Sequence, residues 1–210
     1  MVGSGLRKCG WLLGGAFCAC ALLPAGPQTT PGQLTYSGQI VVEGRATSYL
    51  IRHLPVSSFP QLPVTIVTLL TQRGCTIPQT YAAHRPENVI HASFEHAGSS
   101  DWAVLCSVDG TVSLLVFFDG AASQNQQPPP IVVASAPETG RLQPHDPSGV
   151  LGFNWGIDPA SPQQVHDAQI GLQHRPPRVD HDALADSIVE GRTTYRFFSK
   201  TVWTVLEMPE

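Results

Sequence analysis

The chain has 210 residues, only 13% of them charged, and a formal net charge of −4. That balance supplies no basic footprint for a phosphate backbone, so nucleic-acid binding is excluded as a reading. With 19 glycines and 19 prolines, the sequence points to many turns and loops rather than to a helical bundle.

The first element is a leader. Arg7 and Lys8 precede an apolar run from Trp11 to about Leu23, followed by small residues and proline, which is the three-part form of a secretory signal peptide over residues 1–26. The apolar run is shorter than the roughly 20 residues that cross a bilayer, so no transmembrane segment is expected in the mature chain. Export places the protein in a secreted or periplasmic compartment. The alternative is an envelope lipoprotein acylated at Cys20, although Leu-Leu-Pro follows that cysteine where a polar tether is usual. Cys9, Cys18 and Cys20 fall in the leader, so the mature chain keeps Cys75 and Cys106 alone. In an oxidising compartment these two are expected as one disulfide, closing a loop of about 30 residues and contributing roughly 3–4 kcal/mol.

Residues 27–38, rich in Pro, Thr, Gly and Gln, read as a mobile leader to a single domain over 39–210. Ile40 to Val42 is a short strand candidate. Ala46–Leu54 fits either a strand or a helical stripe and stays open between them. Val64–Arg73 is expected as a helix between Pro63 and Gly74, and Val89–Phe94 as a strand.

The strongest signal is Asp109-Gly110 between two apolar runs, a two-residue turn that pairs Val108 with Thr111 and Trp102 with Phe117. Both faces of that hairpin are apolar, so it belongs in the middle of a covered sheet. Residues 119–130 form a Pro-rich loop, and Ile131–Ala134 re-enters the sheet. Ser161-Pro162-Gln163-Gln164 is a capping box opening a helix from Pro162 to about Ile170. His174–Val179 reads as extended, and Asp180-His181-Asp182 opens a second short helix that runs through Val189. Two β-rich runs around Ser199-Lys200 make a terminal hairpin in which Arg196 is expected to face Trp203. The sum is an α+β fold, an antiparallel sheet of about five or six strands with two or three short helices.

Candidate chemistry is sparse. Ser93 to Asp101 has the frame of the calcium loops of FG-GAP propeller repeats, but Ser93, Glu95 and Ala97 stand at ligand positions, too few oxygens for that cation. His-Asp pairs occur at 145–146, 166–167 and 181–182. With His174 nearby, His181, Asp182 and Asp186 are the candidates for a metal-assisted hydrolase resembling the HD type; the competing reading makes Asp180 or Asp182 a helix cap. There is no Gly-x-Ser-x-Gly elbow and no phosphate-cradling loop, and His91 reads as a structural histidine.

In order along the chain, Arg73-Gly74-Cys75-Thr76-Ile77-Pro78-Gln79, Pro86-Glu87-Asn88-Val89-Ile90, Asp101-Trp102-Ala103-Val104-Leu105-Cys106-Ser107 and Asp180-His181-Asp182 precede the Tyr195 to Trp203 hairpin. This pattern resembles a group of uncharacterised secreted bacterial proteins and covers most of the mature chain. The chain departs from it at Ala183-Leu184, where glycine-isoleucine is usual. The resemblance implies a compact exported fold and assigns no activity and no site. The expected function is therefore an exported non-catalytic binding module with no cofactor. Its partner would be a protein or small molecule, met by the loops around Gly98 and Pro128.

Overall fold

The computed structural model describes residues 34–119, 129–170, 172 and 178–206. The expected signal peptide, Cys20, His174 and most of the Pro-rich loop lie outside them. Antiparallel sheet dominates as expected, but strand accounts for 51% of the described residues and these hold only two α-helices, so the fold is richer in β than a balanced α+β domain.

Strands β1 (Leu34–Val42) and β2 (Arg45–Pro55) form a long hairpin closed by Glu43-Gly44, both at positive φ. Residues 34–38, expected in the mobile leader, are thus the first half of a strand. Ala46–Leu54 resolves as strand because β1 takes one edge of it and two further strands take the other. Helix α1 (Val64–Gln72) follows Pro63 and ends before Gly74, whose φ of +70° stops it. Next come β3 (Thr76–Gln79), β4 (Val89–Ala92), β5 (Asp101–Val108) and β6 (Thr111–Phe117). The β5–β6 register is the one its turn dictates, with Val108 opposite Thr111 and Trp102 opposite Phe117. Asp109 and Gly110 take φ of 49° and 75°, the left-handed pair that such a turn needs.

After β7 (Ile131–Pro137) the chain crosses by a short 3₁₀ turn, Glu138–Arg141, to β8 (Leu142–Pro144) and β9 (Leu151–Phe153), and β9 runs parallel to β2. These strands complete a nine-stranded sheet. A second, four-stranded sheet holds β10 (Trp155–Ala160), β11 (Ala183–Ile188), β12 (Thr193–Ser199) and β13 (Val202–Leu206). Helix α2 (Pro162–Ala168) lies between β10 and β11 in sequence, and its Ser161–Gln164 capping box is formed in both directions.

Two expectations fail here. The helix expected from Asp180-His181-Asp182 through Val189 does not form: Ala183–Ile188 is the central strand β11, because β10 and β12 satisfy both its edges and bury Ala183 to Asp186. The terminal turn is Lys200-Thr201, one residue later than expected, so Phe198 faces Trp203 and Arg196 faces Val205. The anticipated cation–π contact gives way to a salt bridge from Arg196 to Asp186.

The layers follow from the alternation of side chains. One face of β5–β6, with Val104, Cys106, Leu115 and Phe117, packs under Ile66 and Leu70 of α1. On the opposite face, Ala103, Leu105, Leu114 and Val116 meet Trp155, Ile157 and Leu184 of the second sheet. The far side of that sheet packs Ala183 and Phe197 against Val165 of α2. The order is helix, sheet, sheet, helix, with the hairpin buried on both faces. Cys75, just past α1, is disulfide-bonded to Cys106 of β5 across a Cα separation of 5.4 Å, so the bridge ties the helix end to the central strand as expected.

Candidate functional site

The motif residues turn out to be fastenings. Asn88, buried and at φ +69°, donates its amide to the carbonyls of Pro78 and Trp155 and accepts from the Ile157 N–H, joining the two sheets. The Gln79 amide donates to the Glu87 carbonyl and accepts the Glu87 N–H, while the Glu87 carboxylate accepts the Thr80 N–H. Asp101, fully buried, accepts the N–H groups of Phe94, Glu95 and Asp119 at 2.8–2.9 Å and the Ser99 hydroxyl. Those bonds occupy the carboxylate, so the loop that resembled a calcium site is a turn closed around Asp101, with Gly98 at φ +83° as its bend.

The His-Asp pairs lie on separate elements. His145 stacks on Tyr81, and Asp146 accepts the Ser148 N–H and hydroxyl. On α2, His166 Nδ1 accepts from Arg178 at 3.4 Å. His181 is buried, with Nδ1 3.1 Å from the Asp182 carbonyl oxygen. Asp182 accepts the Ser93 N–H and returns its own N–H to the Ser93 carbonyl, clasping the second sheet to the end of β4. Asp186 takes both Nε and Nη2 of Arg196 at 2.8 Å. His174 lies outside the described residues, and among those described no three His, Cys, Asp or Glu side chains converge as metal ligands would. His91 is satisfied, bonded to Ser100 and packed on Trp102, though it stands on the exposed face of β4.

Sequence reasoning missed the most polar buried cluster. His53 of β2 is 2% exposed, and its Nε2 lies 3.0 Å from Glu138 Oε1 in a bent geometry. The Ser107 hydroxyl of β5 donates to the same oxygen. Burial pushes the Glu138 carboxyl up, yet the His53 contact, the Ser107 hydrogen bond and the His53 charge outweigh it and hold the group below its ordinary value. A serine, a histidine and a carboxylate invite comparison with a hydrolytic triad. Here the carboxylate sits between the other two, so the imidazole cannot take the serine proton, and all three are buried from substrate. The cluster is a polar latch holding the crossover after β7 to β2 and β5.

A hollow of about 280 Å³ lies above the disulfide, lined by Arg73, Cys106, Val108, Thr111, Ser113 and Leu115. It offers one cation, no general base, and less volume than a small-ligand site usually encloses.

The exposed feature that stands out is the β1–β2 ribbon. Residues 39–42 pair with 45–48, and neither run meets another strand among the described residues. Val41 is 75% exposed, and Leu34, Tyr36 and Val42 are exposed as well. The outer edge of β1 meets no strand among the described residues. Its nine residues, Leu-Thr-Tyr-Ser-Gly-Gln-Ile-Val-Val, include no charge and no proline, the two devices that usually blunt an edge strand. A Cβ at Gly38 would lie 2.7 Å from the Tyr49 hydroxyl oxygen, so a side chain there would displace the Tyr49 ring. The Tyr49 ring covers the gap left by the glycine. No protein-family model, curated protein or solved structure matches this chain.

Proposed function

We propose that this is an exported, disulfide-bridged, non-catalytic interaction module whose contact surface is the β1–β2 ribbon. The observation that carries the reading is the nine-residue, charge-free outer edge of β1, whose second half, 39–42 with 45–48, meets no further strand among the described residues. Unpaired N–H and C=O groups along such an edge bind another polypeptide by adding a strand, and the exposed apolar side chains beside them set the register. Export is supported by the form of residues 1–26 and by a cysteine usage that leaves one bridged pair. The loop around Gly98 is tied inward by Asp101, which leaves the ribbon as the better presented surface.

The test is site-directed photo-crosslinking in cells that export the full chain, with benzoylphenylalanine placed at Val41. Val64, 76% exposed on α1, is the control position. Crosslinking to a discrete polypeptide from Val41 and not from Val64 is the expected result. Equal labelling from both positions, or none from Val41, overturns the reading.

A further inference from the structure

We infer that the strand added to β1 is the β1 of a second copy of this chain, the two running antiparallel about a twofold axis at Gly38. The inference rests on the ribbon being the contact surface and names its partner.

The register comes from the strand's own sequence. Pairing β1 with itself about Gly38 engages all nine residues: Leu34 meets Val42, Thr35 meets Val41, Tyr36 meets Ile40, and Ser37 meets Gln39. Leu34, Tyr36, Ile40 and Val42 share one face, because side chains alternate along a strand. In this register that apolar row meets the apolar row of the second copy. A slip by one residue would set each apolar side chain against a polar or opposite-facing one. The same face already carries Tyr49 and Ile51 of β2, opposite Gly38 and Tyr36. Ile51 is buried in the core between the sheets, so the new contact continues an existing apolar surface.

Charge makes the self-pairing permissible. A charged strand paired with its own copy can set like charges opposite one another, whereas β1 has none to oppose. At the axis two glycines meet, with no side chain to hold the backbones apart. A strand pair related by a twofold axis is closed, since each edge is consumed by the other and no filament grows.

Sedimentation velocity of the exported protein, over a range of micromolar concentrations, tests the inference. The wild-type chain is expected to be a dimer. Ser37→Lys/Gln39→Lys sets like charges opposite one another on both sides of the axis and should weaken the dimer at least about tenfold. Ser37→Lys/Gln39→Glu sets opposite charges there and should restore it. Both positions are exposed, and circular dichroism melts of each variant check that the fold survives. A monomeric wild type, or a dimer indifferent to both variants, overturns the inference. If the wild type is monomeric while Val41 still crosslinks to a different polypeptide, the second copy is wrong and the interaction module stands. Without any Val41 crosslink, both fall.

Discussion

Glu138 shows how much a single buried carboxylate can decide. It accepts from Ser107 and faces His53, and it holds the crossover after β7 against the sheet. Its carboxyl lies below its ordinary value when folded, so the unfolded chain takes up the proton first as pH falls. The stability it provides is therefore complete above the unfolded carboxyl range. It drains away as pH falls through that range, about 5 to 4, toward the folded value. Thermal melts of the wild type between pH 7 and 4 should show the midpoint falling with acid. Glu138→Gln should be less stable at pH 7, by about 2–3 kcal/mol, and should lose part of that slope. An unchanged slope in the variant would mean that other groups carry the acid sensitivity. Nothing local in the sequence marks this cluster. His53, Ser107 and Glu138 stand 54 and 31 positions apart, and each alone reads as an ordinary polar residue.

Elements were legible where the deciding contacts are local. The Asp109-Gly110 turn carries its own φ preference, and it fixed a register seven pairs long. Likewise the Ser161 capping box needs only residues three apart. Two failures have the complementary cause. Ala183-Leu184-Ala185 favours helix by propensity, but a central position between two strands overrides it. In the terminal hairpin, Lys200 and Thr201 both take positive φ, a conformation that neither residue type advertises, so the turn slid by one. The two-cysteine arithmetic did reach the right pair. Because the bridge joins the end of α1 to the middle of the sheet, Cys75→Ser/Cys106→Ser should lose roughly 3–4 kcal/mol. Urea denaturation of the double variant beside the wild type measures that loss. A difference under about 1 kcal/mol would leave the bridge without a structural role.

Across the whole molecule, stability and exposure run in opposite directions along the same sheet. At one end β5 and β6 are covered on both faces, by α1 and by the second sheet, and their inner residues have almost no exposed surface. At the other end, among the described residues, the ribbon beyond Tyr49 meets no covering layer and has only its own hairpin bonds. This gradient could not be read from the chain, because it depends on which strands lie beside β2, and those come from residues 76–79 and 151–153. Opening a segment costs the contacts it must break, so a doubly covered hairpin opens only when the domain unfolds, whereas a bare ribbon frays alone. Amides of Ala103–Cys106 and Val112–Val116 should therefore exchange only with global unfolding. Those of residues 45–48 should exchange faster by roughly two orders of magnitude or more in dilute protein. Hydrogen exchange read by mass spectrometry resolves the two segments. Equal protection at low concentration would show that the ribbon is held by the domain itself, and it would remove the exposed edge on which partner binding depends.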